Sequence, residues 1–182
     1  MICSEVELGI GSDQSGIMVL PPEQQTGIAL ADALGLDDTL LDLSITPNRA
    51  DCFSVIGLAR EIAALFDVPF SLPSISVPES NLPVDDRISV RIDAPELCPR
   101  YTARYIDNVN IGSAPLWMRQ RLENCGIRSI NTIVDITNYV LLEWGQPLHA
   151  FDYSRLHDGR IVVKRAAKGD VFTTLDEQER SL

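Results

Sequence analysis

Two histidines, four cysteines and fifteen basic residues in 182 leave this chain poor in the groups that usually carry metal and phosphate chemistry. Cys3, Cys52, Cys98 and Cys125 are scattered, with no C-x-x-C pair and no histidine at zinc spacing. They read as reduced thiols of a cytosolic protein, and no metal site is expected. There is no G-x-x-x-x-G-K-S/T loop to cradle phosphates, no G-x-S-x-G elbow, and none of the short histidine–lysine signatures of ATP activation. No signal-peptide pattern, membrane-length apolar run, internal repeat or low-complexity tract appears. A soluble, cytoplasmic chain without a membrane partner is therefore expected.

What the chain has in quantity is acid and ordinary core. The net charge is −11 and 45% of the residues are hydrophobic, enough for a sizeable core but opposed to generic polyanion binding. The imbalance is local: residues 1–70 hold 11 acids and two bases, residues 71–182 hold 15 acids and 13 bases. Most of the bases are Arg, which suits bidentate phosphate or carboxylate contacts. An RNA partner would be touched by this second part, or by portions of a larger assembly.

Along the chain, residues 1–20 are turn-rich and end in an expected short strand, Ile17 to Leu20. Pro21-Pro22 marks a boundary. A helix is expected from Ile28 to Leu34, closed by Gly35, then a strand from Leu40 to Ile45. Asp51 is placed to cap a helix whose apolar stripe is Val55, Leu58, Ala59, Ile62, Ala63 and Phe66. Arg49 and Arg60 fit ion pairs with Asp51, Glu61 or another domain better than RNA contacts. Residues 67–86 are rich in Pro and Ser, forbidding helix and leaving an extended, protease-sensitive linker. Strands follow at Ile88 to Ile92 and Arg100 to Val109, the latter with Tyr101, Ala103 and Tyr105 on one face. Ser113 caps the next helix, with Leu116, Trp117, Met118, Leu122 and Cys125 as its core side and Gly126 as its stop. Two more strands fall at Ile161 to Val163 and Val171 to Thr174, before a turn at Asp176-Glu177-Gln178.

The stretch from Gly126 to Asp152, GIRSINTIVDITNYVLLEWGQPLHAFD, organises the rest. Asn131 or Ser129 caps a helix beginning at Thr132, and Gly145 supplies a left-handed stop. Thr137, Asn138 and Tyr139 interrupt its apolar pattern in mid-helix, where Thr and Asn have no propensity reason to be. Gln146-Pro147 then turns the chain and delivers His149. Such a polar cluster in an apolar frame fits a pocket. By residue type alone, His149 fits a hydrogen-bonded structural histidine better than a catalyst, and Thr137 and Asn138 fit buried groups satisfied by backbone. His157, in Leu156-His157-Asp158-Gly159, belongs to a solvated turn.

Ile130 to Asp152 resembles the beta subunit of bacterial phenylalanyl-tRNA synthetase. Three further blocks resemble it in the same order: Ser44 to Cys52 (SITPNRADC), Cys98 to Tyr101 (CPRY), and Leu116-Trp117-Met118 with Cys125 to Ser129. The resemblance spans nearly the whole chain and implies an internal fragment of α+β class. Its modules would be the trailing edge of an oligonucleotide-binding barrel (1–20), a small helical module with a short strand (21–68), a linker (69–86), and the first half of a mixed α/β editing module (87–182). In that family the alpha subunit uses ATP and magnesium to charge tRNA(Phe), in a cytoplasmic assembly of two alpha and two beta subunits. The fragment itself would need no cofactor. The editing module hydrolyses tyrosine wrongly attached to tRNA(Phe), since an apolar pocket rejects an added hydroxyl poorly. The resemblance places Thr137, Asn138 and His149 in the editing site and Arg128 near the tRNA end. The family's glycine-rich segment and discriminating glutamate would come later than residue 182. Glu177 and Glu179, expected in a hairpin turn, are not substitutes, so the fragment alone should be inactive. The alternative is a non-catalytic scaffold that orients RNA.

Overall fold

The computed structural model describes every residue except Met1, Ser12, Pro21, Glu23, Leu175, Asp176, Glu177 and Leu182. The chain divides into two compact units, each built from two separated pieces. One comprises residues 1–74 and 110–150; the other comprises residues 75–109 and 151–182. A cut falls inside the Pro/Ser stretch, but the chain also crosses after 109 and after 150. The expected modules 21–68 and 87–182 therefore do not coincide with the compact units.

The first unit is helical. Ser4 and Glu7 form a reciprocal capping box at α1 (Glu5–Leu8), which Gly9 ends in the left-handed region. α2 (Leu30–Leu34) is closed by Gly35 at φ 63°. α3 spans Val55–Phe66, α4 Leu116–Asn124 and α5 Thr132–Trp144. The buried apolar side chains of this unit are Leu34, Cys52, Ile56, Ala114 and Leu122.

Several local expectations are corrected here. Ile17 to Leu20 and Leu40 to Ile45 are not strands. A strand is defined by a partner ladder, and Leu40, Leu41 and Leu43 are all exposed, so alternation there marks no buried face. Asp51 does not cap α3. It lies in a 3-10 turn, Ala50–Phe53, and Ser54 takes the cap by accepting from the Gly57 N–H at 3.0 Å. The buried side of α3 is Ile56 and Gly57, whereas Val55, Ile62 and Phe66 of the expected stripe are exposed. Ser113 does not cap α4 either; Pro115 holds the N-cap position with no side-chain bond. Trp117 is half-exposed instead of core, its ring meeting Tyr139 edge-on at 5.4 Å with Arg121 5.6 Å from its centroid. Cys125 is exposed as well. Arg49 does ion-pair, with Asp51 at 2.9 Å and Glu61 at 2.6 Å. Arg60 instead lies 5.6 Å from the centroid of Phe70.

The second unit holds two short sheets. β1 (Ser89–Ile92) pairs in parallel with β2 (Arg160–Val163), in the register Ser89 with Arg160. β3 (Val171–Thr173) pairs antiparallel with β4 (Glu179–Ser181). Glu179 thus stands in a strand, correcting its place in a turn. Glu177 and most of the expected turn lie outside the described residues. Residues 100–109 form no ladder, yet Tyr101, Ala103 and Tyr105 are half-buried between exposed neighbours, so the expected face is present without the strand. Tyr105 packs edge-on against Tyr153 at 5.0 Å with Arg87 5.0 Å from its centroid, and the Tyr153 hydroxyl donates to the Arg87 carbonyl at 3.1 Å. His157 is 94% exposed in its side chain, as a solvated turn residue should be.

Candidate functional site

The local sequence around α5 is tied at both ends. Asn131 has an extended backbone, and its side-chain oxygen accepts from the N–H groups of Ile133 and Val134 at 3.0 and 3.1 Å. Two of the four orphan donors at the helix start are thereby satisfied. Ser129, the other candidate cap, donates its hydroxyl to Asp135 at 2.6 Å. Asp135 also accepts from the Ile130 N–H at 2.9 Å and is fully buried. A carboxylate near a helix N-terminus is favoured by the helix dipole, and these two donors offset its desolvation. Asp135 is the residue that sequence reading undervalued; the available signal was an acid in the first turn with a hydroxyl six residues upstream.

This clasp fixes Arg128. Behind it, the Ile127 N–H donates to the Leu122 carbonyl at 2.9 Å, closing α4. Ahead of it, Ser129 is held on Asp135. Ile127 and Ser129 are half-buried and Arg128, between them, is exposed. A guanidinium presented in this way is available to a phosphate or carboxylate.

Thr137 and Asn138 occupy successive positions in the middle of α5 and are half-buried. Their directions differ by about 100° around the helix axis. The Thr137 hydroxyl donates to the Val134 carbonyl at 2.7 Å, so its proton is committed and it meets any ligand as an acceptor.

At the far end Gly145 adopts φ 73°, and its N–H donates to the Leu141 carbonyl at 2.8 Å. A Cβ on Gly145 would come within 3.2 Å of the Ser54 Cβ. The C-terminus of α5 is therefore braced by the N-cap of α3. His149 follows on an exposed, irregular segment four residues beyond this brace. Thirteen residues of helix span about 20 Å. Arg128 and His149 accordingly leave α5 from opposite ends, with Thr137 and Asn138 between. A cavity of about 430 Å³ lies among Leu20, Gln24, Ile28 and Ala33, and another of about 400 Å³ among Lys164, Arg165, Asp170 and Phe172. None of the four expected site residues lines either one. Among the described residues no cluster of His, Cys, Asp and Glu is suited to a metal ion, and no helix is long and apolar enough to cross a membrane.

A family model described as the B3/4 domain matches residues 97–182. The phenylalanine–tRNA ligase beta subunit of Geobacter sulfurreducens is 54% identical over all of this chain, and that of Syntrophus aciditrophicus is 56% identical. The beta subunit of Geobacillus kaustophilus is 50% identical, also over the whole chain. In each case the chain spans 23% of the relative's length. Over all of its 182 residues, the chain is thus about half identical to phenylalanine–tRNA ligase beta subunits, of which it spans less than a quarter.

Proposed function

We propose that this chain serves within a phenylalanine–tRNA ligase, joined to an alpha subunit, and that residues 126–152 contribute to hydrolysis of tyrosine mischarged onto tRNA(Phe). The observation that carries the reading is identity of about half over all 182 residues to beta subunits. The arrangement around α5 supports it: a helix locked at both ends offers two half-buried polar groups, and each end leads to one exposed recognition residue. Thr137 accepts a hydrogen bond from the amino acid or the attacking water, and Asn138 offers both a donor and an acceptor. His149 orients that water or the terminal ribose, while Arg128 holds a phosphate of the tRNA end. ATP and magnesium belong to the charging reaction, which we assign to the alpha subunit in an assembly of two alpha and two beta subunits in the cytoplasm.

The test uses the complete alpha–beta enzyme. His149→Ala should slow deacylation of tyrosyl-tRNA(Phe) by about 10²-fold or more while leaving phenylalanine charging nearly intact. Loss of both activities together would indicate misfolding. Unchanged tyrosine clearance would make His149 structural and favour the reading of this region as an RNA-orienting scaffold.

A further inference from the structure

The chain contains two lysines, and both stand in one loop: Lys164 and Lys168. With Arg160 and Arg165 they give four bases and no acid over residues 160–168, in a chain of net charge −11. Several arginines elsewhere are engaged in ion pairs, as in Arg49 with Asp51, Arg91 with Asp93 and Arg104 with Glu79. Arg160 and Arg165 follow that habit, pairing with Asp158 and Glu96. Neither lysine has a carboxylate partner among the described residues.

The loop is organised before any ligand arrives. The Asp170 N–H donates to the Ala167 carbonyl at 3.0 Å, and the Asp170 carboxylate accepts from the Ala167 N–H at 2.9 Å. Gly169 takes φ 91°, the left-handed third position of a type II turn, which puts Lys168 at the corner. Asp170 thus spends acceptor capacity inside the turn. Beyond it, β3 carries Phe172, which is 60% exposed and directly opposite Arg180 of β4. Lys164, Arg165 and Phe172 line the same open cleft of about 400 Å³.

We infer that this cleft and the turn beside it form a contact for single-stranded RNA, with Lys164 in the cleft and Lys168 at the turn corner on phosphates and the Phe172 ring stacked on a base. Cationic side chains beside a solvent-facing aromatic ring are the two components of single-strand recognition, and neither requires a particular sequence. The inference deepens the proposed function, on which it rests for the choice of RNA as the polyanion. The contact lies on a different segment from Arg128, Thr137, Asn138 and His149.

The test is fluorescence anisotropy of the full chain with a labelled single-stranded RNA 12-mer, titrated across salt concentrations. Lys164→Ala with Lys168→Ala should weaken binding and flatten the slope of log affinity against log salt by about 1.4, two phosphates at about 0.7 each. Phe172→Leu, which keeps an apolar side chain on the hairpin, should weaken binding by about five- to hundredfold with the salt slope unchanged. Poly-glutamate should compete poorly. The inference is overturned if the wild-type chain does not bind the 12-mer or the lysine variant keeps the full slope. Phe172→Leu binding as tightly as wild type, or poly-glutamate binding with equal affinity, would overturn it too. Failure of the editing reading shows separately, as unchanged tyrosyl-tRNA hydrolysis in His149→Ala.

Discussion

Gly57 lies in the first turn of α3, where alanine would ordinarily gain about 1 kcal/mol of helix propensity over glycine. Its surroundings reverse that sign. A Cβ built there collides with the Asp51 carbonyl oxygen and stands 3.0 Å from the Ser54 hydroxyl oxygen. The obstacle is backbone, and the turn that carries it is pinned. Arg49 grips the Asp51 carboxylate through two nitrogens, the Ser54 hydroxyl donates to the Asp51 carbonyl at 3.2 Å, and Cys52 is buried. Overpacking of a fixed site costs about 1–3 kcal/mol. Displacing Ser54 forfeits a cap worth about 1 kcal/mol. Less the propensity gain, Gly57→Ala should destabilise the chain by about 1–3 kcal/mol, lowering the melting temperature by roughly 2–12 °C. Thermal unfolding followed by circular dichroism measures it. Gly112→Ala, where an added Cβ meets nothing within 4 Å, serves as the control and should change little. A Gly57→Ala chain that melts at or above the parent temperature would refute the reasoning. Because Ser54 also braces Gly145, the same substitution should loosen the segment that carries His149.

Asp135→Ala should cost about 2–4 kcal/mol in urea unfolding, since it strands the Ile130 N–H and the Ser129 hydroxyl; a loss below about 0.5 kcal/mol would mean that the clasp around α5 contributes little. Cys125 is exposed, whereas Cys52 is buried and burial pushes its thiol pKa up, so a thiol reagent at neutral pH should modify Cys125 at least about tenfold faster. Equal labelling by mass spectrometry would contradict that placement. Hydrogen bonds from Arg49 hold the Asp51 carboxyl down at about 2 and depress Glu61 also. A depressed carboxyl contributes stability that is present above its unfolded pKa, about 3.9 for Asp, and is lost as pH falls through 2. Acid unfolding of Arg49→Ala should accordingly lose part of its pH dependence between about 4 and 2, and an unchanged acid limb would show that the cluster does not form in solution.

What the sequence made legible was local and chemically explicit. Asn131 and Gly145 bound α5 where a cap and a left-handed stop predict, because both signals are satisfied within a few residues. Gly35 ended α2 for the same reason. β1 was visible as an alternation and β2 as an apolar run, but their parallel pairing was not, since 67 residues separate Ile92 from Arg160 and no periodicity encodes a partner that remote. The expected strand at Leu40 to Ile45 failed on the same ground: alternation describes a face, and only a partner makes a ladder. Asp51 was read as the cap of α3, but it lies in the 3-10 turn before the helix, and Ser54, directly before Val55, caps it instead. At the candidate site, the bounds of α5 followed from its caps, whereas Arg128 was named by the resemblance alone and its exposure was not legible. The burial of Asp135 was not legible either, because it depends on the loop 129–130 folding back over the helix start.

The interleaving of the two units sets an order in time. Synthesis at about 5–20 residues per second separates the emergence of β1 from that of β2 by roughly 3–13 s. In that interval β1 presents an unpaired edge, with Val90 and Ile92 still short of their final cover. The helical unit receives its last residue, Ala150, ten residues before β2 begins, so α3 and α5 can close on each other while the sheet is still waiting. A substitution that delays the docking of α5 does not lengthen the wait on the ribosome. It exposes two unfinished units together, which turns a folding step into an opportunity for association between nascent chains.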